Sequence, residues 1–498
     1  MSVHAQVSEP AQESAAKHRV ATRRRALFAF AGTLLIYLAF LPPGIYSVDG
    51  YSMLMTAESL ATRQSFVVAD GVVGKDGRTY SPWYPLQSVL AVPVVAPAVK
   101  LAGALHLPVH YVESFAVAVL SALYTAVTVA LVYLLALLLG SGPPGAWLAA
   151  IAYGFGTIAL VYTRDFYADP LLAMLMALGL VLAFREKLSW TIVVFTGLAV
   201  LAKPTGIILG PVLSAYLLWK TRRVGTSALP ALGTAAGLGA YFAFNWYRFG
   251  NFRTFGHQFA FSPAYVPEGL VGLLFSPGAG LIWFCPCVLL CIAALRQKQM
   301  RRLEAWTAVV LAVSSWMLHS LWLGWFGGAS WGPRLLLPVL PGLVALTGVL
   351  RGSWRKILIG AVVVGFLLTA PNLFSTCYKR YFAEAGEHGV TGSELRWSPS
   401  RSPLLNAWPA AIRQVQDARA TDVRQLLAER TASPATTIAT SRALRVVGIW
   451  WWVLPVVHVS RLWGVLVSTV LTTAGIWLLL IARQTEGEFK GQESEART

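Results

Sequence analysis

Few residues of this chain have chemistry to offer, and they stand out by position. Asp49, Arg164, Asp165, Asp169, Lys203, Arg248 and Arg334 fall at the ends of apolar runs that otherwise fill most of the sequence. Ionisable groups beside membrane-length hydrocarbon are costly and mark function by default. Asp49 opens an expected helix from Asp49 to Arg63. An aspartate there either complements the helix dipole or serves as a general base at the membrane surface. Asp169 precedes Pro170, the pattern of a capping acid before a first-turn proline. Capping does not explain Arg164-Asp165 just before it. Three charges in six residues, at a tight turn between apolar runs, suggest one shared polar site. Its carboxylates could bind hydroxyls, hold a cation or assist the base.

Lys203-Pro204 and Gly332-Pro333-Arg334 share a design, a cation beside the proline that starts a helix. A cation opposes the dipole at a helix start, yet the free N–H groups and the cation agree on one ligand, an anion, and a phosphate suits both. Snorkelling to lipid head groups is the plainer alternative. Arg248, within Asn245-Trp246-Tyr247-Arg248-Phe249-Gly250-Asn251, and Arg164 add positive charge to the same expected face. Arg334 follows Trp325-Phe326-Gly327-Gly328-Ala329-Ser330-Trp331. Its glycines let backbone approach a ligand closely, and Trp325 and Trp331 either stack on a ring-shaped ligand or anchor at the membrane interface. His257, with Glu268 further on, lies in the loop after Asn251, where a lone histidine serves structure as readily as binding. No HExxH, GxSxG, Walker or Rossmann pattern occurs, so ATP-driven work and serine hydrolysis find no support.

The elements that must position these residues are membrane helices. Of 498 residues, 56% are hydrophobic and 12% charged, against about a quarter charged in a soluble globule. The net charge of +18 does not point to nucleic acid, because Lys and Arg gather at run ends and no nucleic-acid motif occurs. It reads as topology signal and as complement to anionic membrane lipids. Cys285, Cys287 and Cys291 share one apolar run and Cys377 stands alone, with neither disulfide nor zinc spacing.

The expected architecture is an all-α polytopic bundle of about 12 spans. The first is Ala26 to Ile45, after Arg23-Arg24-Arg25. Others fall near 113–140, 145–163, 170–184, 189–202, 205–219, 228–247, 277–295, 304–325, 335–350, 355–371 and 461–482. The run 86–104 is ambiguous. If it lies along the surface, the basic loops at Arg185/Lys187, Lys220/Arg222/Arg223, Arg296 to Arg302 and Arg351 to Lys356 all face the cytoplasm, as the positive-inside rule prefers. Both termini are then cytoplasmic and the charged site is extracytoplasmic. The expected division is a disordered terminus 1–22, a transmembrane catalytic module 23–371 with an outer loop 46–111, an extracytoplasmic segment 372–460, a last span 461–483 and a tail 484–498. The outer segment holds an amphipathic stretch, Ile412 to Arg430, and Trp450-Trp451-Trp452, which suits an interface belt.

The first outer loop reads Ser47-Val48-Asp49-Gly50-Tyr51, then Tyr80-Ser81-Pro82-Trp83-Tyr84-Pro85-Leu86. This resembles the GT-C superfamily of polytopic glycosyltransferases, whose first outer loop carries an acid after span one and then a Pro-Pro-Leu-like segment leading into a juxtamembrane helix. Asp169 resembles the second acidic position of that family, and Lys203-Pro204 its Thr-Lys-Gly/Pro segment. The runs Asn245 to Asn251, Leu274 to Gly280 and Trp325 to Pro341 are similar to a bacterial subgroup related to protein O-mannosyltransferases and RgtA/B/C/D-like transferases. The resemblance covers about residues 25–350 and implies a GT-C-like bundle in a bacterial inner membrane. It implies inverting hexosyl or pentosyl transfer from a polyprenyl-phosphate-sugar donor to a hydroxyl of a glycan, lipid or protein acceptor. By resemblance Asp49 is the base, with Asp169 and Asp165 beside it. Lys203 and Arg334, with Arg248 and Arg164, hold the phosphate, and Tyr51, Trp83, Tyr84, Asn245, His257, Trp325 and Trp331 line the substrate. Many members have Asp-Glu where this chain has Asp49-Gly50, and their Pro-Pro pair is here split as Pro82-Trp83-Tyr84-Pro85. Metal ligands stay unknown and a divalent cation stays open; no other cofactor is implied.

Two other functions fit a polytopic chain. A carrier or flippase for lipid-linked glycans places ionisable groups or broken helices at mid-membrane, where these runs hold His319 and several prolines. A ligase with a polyprenyl-diphosphate donor relies on Arg and His of its large outer loop and carries no acid after the first span, which Asp49 argues against.

Overall fold

The computed structural model describes residues 9–107, 109–186, 190–252, 260–422 and 448–484. Helix α1 (Glu9–Ala39) stops before Pro42-Pro43, where missing N–H groups end the ladder earlier than the expected Ile45. Helix α2 (Val48–Arg63) follows. A small antiparallel hairpin, β1 (Val67–Val73) and β2 (Thr79–Tyr80), adds strand where only helix was expected. Helix α3 (Pro85–Ala104) is the ambiguous run, 20 residues long and apolar enough to cross a membrane. It packs on α2 and on α4 (Val109–Leu138). Ser88 Oγ donates to Met53 O at 2.9 Å, fixing α3 against α2.

The 30-residue α4 is the inner post of the bundle. Around it stand α1, α5 (Pro143–Gly156) and, after the one-turn α6 (Ala159–Tyr162), α7 (Ala168–Phe184). The expected span 145–163 breaks at Thr157, whose Oγ1 donates to Tyr153 O at 2.7 Å and accepts from Ala159 N at 3.2 Å. One side chain thus ends one helix and starts the next. Helix α8 (Trp190–Ala202) is followed by a 3-10 turn Pro204–Ile208 and α9 (Leu209–Thr221). The short α10 (Val224–Ser227) leads to α11 (Leu229–Phe249), which runs along α8.

Beyond α12 (Val266–Phe275) the expected span 277–295 is not one helix. It is α13 (Leu281–Phe284), a 3-10 turn Pro286–Leu290 and α14 (Cys291–Leu295), interrupted at Pro286. Helix α15 (Arg302–Ser320) is continuous. The expected span 335–350 is a 3-10 turn Arg334–Val339, α16 (Leu340–Leu346) and a second 3-10 turn Thr347–Val349, with Pro338 and Pro341 removing ladder donors. Helix α17 (Gly352–Thr369) completes this part. Among the described residues five helices are long and apolar enough to cross a membrane.

The segment after α17 forms α18 (Pro371–Phe374), α19 (Cys377–Glu387), α20 (Gly392–Trp397) and α21 (Pro403–Ala420). It is sewn onto the bundle: Ser276 Oγ donates to Arg396 O at 2.7 Å and Ser402 Oγ to Pro277 O at 2.6 Å. Ser276 closes α12 and takes this tether. The amphipathic stretch ends in α21 at Ala420, and its residues 423–430 lie outside the described residues. Trp450, expected in an interface belt, donates from its ring to Ala39 O at 3.2 Å and from its backbone to Leu41 O at 2.9 Å, closing off α1. The last helix, α22 (Arg461–Gln484), lies along α1. They touch at two glycines: a Cβ on Gly32 would sit 2.8 Å from Gly475 O, and one on Gly475 2.6 Å from Gly32 O. Small residues at such a crossing bring helix backbones together in lipid.

Candidate active site

Asp49 lies in the first turn of α2 but does not cap it. Ser47 is the cap, its Oγ accepting from Gly50 N at 3.0 Å. The same hydroxyl donates to Asp165 Oδ1 at 2.8 Å, and Phe166 N donates to that oxygen at 2.7 Å. The turn before α7 therefore grips the start of α2. A Cβ on Gly50 would stand 2.7 Å from Ser47 Oγ and 3.1 Å from Phe166 O. That close approach gives a reason for glycine where the resembling family often has a second acid. Asp165 is buried. Burial raises its pKa; nearby Lys379 and the Ser47 bond oppose the rise.

Asp169 is not a cap either: Tyr167 occupies that position, and Asp169 sits in the first turn of α7. Its carboxylate is spent on a cation, with Lys203 Nζ 2.6 Å from Oδ1. Arg334 connects this pair to Asp49. Its Nη1 donates to Asp49 Oδ2 at 2.8 Å, its Nη2 to Gly327 O at 3.1 Å, and its Nε stands 3.9 Å from Asp169 Oδ2. The side chains of Asp169 and Arg334 are 3% and 9% exposed, that of Asp49 22%. Asp49 is thus the acid of this cluster most open to an incoming group. Tyr84, buried at the start of α3, lies within electrostatic reach of Asp169, Asp49 and Arg334. The structure brings together Asp49, Asp165, Asp169, Lys203, Arg334 and Tyr84. Lys203 and Arg334 stand at 3-10 turns rather than α-helix starts, so their positive charge, more than a helix dipole, makes the place attractive to an anion.

Other expected site residues have structural work. Arg164 is buried and donates from Nε to Phe40 O at 2.9 Å, from Nη1 to Asn372 O and to Ser375 O (2.6 Å), and from Nη2 to Gly448 O. It clamps three segments by their carbonyls. Arg248, also buried, donates to Ser81 O, to Trp83 O at 3.1 Å and to Asn245 Oδ1 at 2.8 Å, pinning the chain before α3 to the end of α11. Asn245 and Trp83 are partners in that pin. Trp325 and Trp331, expected as stacking or interfacial rings, are 2% and 0% exposed. Trp325 packs on Gly272 and Trp397, and Trp331 on Phe284 and Tyr378. Both are core, because the segment after α17 covers the loop that carries them. Tyr51 is half-buried against Tyr46. His257 lies outside the described residues.

Sequence reasoning missed Lys379 and Tyr167. The ring of Tyr167 has Arg334 Cζ 4.3 Å from its centroid and Lys379 Nζ 5.6 Å away. Lys379 Nζ donates to Tyr167 Oη at 3.0 Å and to Ala329 O at 2.9 Å. Tyr167 was legible as a neighbour of Asp165 and Asp169; Lys379, in a polar segment, carried no such signal. Among the described residues no group of three or more His, Cys, Asp or Glu side chains could hold a metal. Asp49 and Asp169 already face cations, so this donor set does not fit a divalent ion.

Residues 93–247 match the profile of a family described as dolichyl-phosphate-mannose-protein mannosyltransferase. Two crystal structures of ArnT from Cupriavidus metallidurans are similar to this chain. The one bound to undecaprenyl phosphate shares 17% identity at a TM-score of 0.50, covering 91% of this chain and 77% of that one. The apo form shares 18% at 0.48, covering 93% and 78%. No curated protein sequence matches the chain. At such identity the likeness speaks for the fold alone: the chain is similar in fold to ArnT.

Proposed function

We propose that the chain is an integral-membrane glycosyltransferase that moves a sugar from a polyprenyl-phosphate donor to an acceptor hydroxyl, with inversion, at the extracytoplasmic face of a bacterial inner membrane. The observation that carries this reading is the linked set Asp49–Arg334 and Lys203–Asp169, one accessible carboxylate beside two cations. Asp49, oriented by Arg334, takes the proton of the acceptor hydroxyl. The freed oxygen attacks the anomeric carbon from the face opposite the phosphate. The bond from that carbon to the phosphate oxygen breaks, and its electron pair stays on the phosphate, whose added negative charge Arg334 and Lys203 stabilise. General-base help is worth about 10²–10⁴ in rate, and preorganised charge often more. The match to a mannosyltransferase profile and the undecaprenyl phosphate named for the similar ArnT structure support a lipid-phosphate donor.

The carrier reading finds less support. His319, the ionisable exception within the expected spans, lies in the last turn of α15 with Nδ1 2.8 Å from Ser315 O of its own helix. The test is to incubate purified protein in detergent with labelled polyprenyl-phosphate-sugar and an envelope extract as acceptor pool. Label on a new covalent product, with free polyprenyl phosphate released, is expected. Donor recovered intact, and moved across the bilayer when the protein is placed in vesicles, would overturn the reading. Reporter fusions at residues 49 and 334 check the face: both belong outside.

A further inference from the structure

The outer segment after α17 delivers a residue to the site. Lys379, on α19, reaches past the core of the segment and donates to Tyr167 Oη and Ala329 O. Two of its three N–H donors are thereby placed, leaving a third. The carbonyls that orient the cations come from one turn: Gly327 O receives Arg334, and Ala329 O, two residues on, receives Lys379. Gly327 and Gly328 have φ of +76° and +75°, which only glycine adopts without cost, so this turn depends on them. Tyr167 lies against both cations, with Arg334 and Lys379 each within 6 Å of its ring. Lys379 thus adds a cation beside Arg334, on the same tyrosine ring and facing Asp165 and Asp49.

We propose that Lys379 is a third cation for the phosphate of the lipid donor, brought to the site by the outer segment, and that it governs how tightly that phosphate is held. The inference rests on the transferase reading above and gives the outer segment a part in that site. The groups facing Lys379 are Asp165 and Tyr167 from the turn before α7, Asp49 from α2, Arg334 from its 3-10 turn and Tyr378 on its own helix. Burial lowers the ammonium pKa to about 8, opposed by Asp165 and Asp49. The cation is therefore present at neutral pH and lost as pH climbs through that value. The donor phosphodiester keeps its single negative charge over this range, so a basic limb in its KM belongs to the protein.

The test uses the full-length protein in detergent and two probes, a short-chain polyprenyl phosphate for binding and the labelled donor for turnover, in wild type, Lys379→Met and Lys379→Arg. In wild type, affinity for polyprenyl phosphate falls and KM for donor rises between pH 7.5 and 9.5, a range set on either side of about 8. Lys379→Met weakens polyprenyl-phosphate binding about 10- to 100-fold at pH 7 and loses this pH dependence. Lys379→Arg keeps the binding and flattens the profile, because a guanidinium stays charged. A tether that merely held α19 would lower thermal stability in Lys379→Met and leave the profile of Lys379→Arg falling as in wild type, and that result overturns the proposal. Should Lys379→Met not fold, the arginine variant decides alone by the same profile. Wild-type protein that binds no polyprenyl phosphate at all would remove the transferase reading itself; wild-type binding that Lys379→Met leaves unchanged removes only the role of Lys379.

Discussion

Ser47 and Asp165 are joined across 118 residues of sequence by a 2.8 Å hydrogen bond, and the hydroxyl that makes it also caps the helix carrying Asp49. The carboxylate of one acid thus sets the place of another. Ser47→Ala removes the cap and takes one of two donors from a buried carboxylate oxygen. A lost cap costs about 0.5–2 kcal/mol. The expected outcome is a modest fall in melting temperature with a larger fall in kcat, because Asp49 is no longer fixed against Arg334. Thermal unfolding in detergent and steady-state transfer, measured side by side, check this. Equal loss in both would make Ser47 merely a cap.

Asp49→Asn keeps a side chain that can accept from Arg334 Nη1 but cannot hold the acceptor's proton. Transfer should fall by about 10²–10⁴ while the protein stays folded and still binds polyprenyl phosphate. The comparison is of initial rates with binding measured on the same preparation. Full activity in this variant would take Asp49 out of the mechanism.

How much of this site was legible follows from the cost of burying charge. Asp49, Asp169, Lys203 and Arg334 interrupt apolar runs, where chance places few ions, and their types alone pointed to a base beside an anion site. The same logic did not foresee the carbonyl partners of Arg164 and Arg248. A buried guanidinium can be satisfied by carbonyls as well as by a phosphate, and the carbonyls involved, those of Asn372, Ser375, Gly448, Ser81 and Trp83, come from chain far away in sequence. Lys379 was invisible for the opposite reason: on an amphipathic outer helix a lysine is ordinary. Trp325 and Trp331 looked like surface rings because nothing in their own loop announces the segment that covers it. The spans at 277–295 and 335–350 were read from hydropathy, which counts apolar residues; Pro286, Pro338 and Pro341 break the ladder without making the run less apolar.

Lys203→Met strands the Asp169 carboxylate, which is 3% exposed. Removing one member of a buried ion pair costs about 3–5 kcal/mol, mostly as uncompensated charge. The double variant Lys203→Met/Asp169→Asn should recover much of that stability, since neither charge remains. It should not recover transfer, since the leaving phosphate still lacks one of its cations. Melting temperatures of wild type and the two variants, set against their rates, separate the two roles. Recovery of both together would reduce the pair to a structural one.

Arg164→Gln gives the converse case. Its guanidinium joins the carbonyls of Phe40, Asn372, Ser375 and Gly448, at the end of α1, the start of the outer segment and the chain leading to α22. Glutamine reaches too few of these, and the carbonyls left buried without donors cost about 1–3 kcal/mol each. The variant should melt lower and be cut sooner by protease within the outer segment, while the fraction that stays folded keeps its affinity for polyprenyl phosphate. Binding and limited proteolysis on one sample test this. If affinity fell about 100-fold in protein that melted like wild type, Arg164 would return to the phosphate site from which its four carbonyl partners now exclude it.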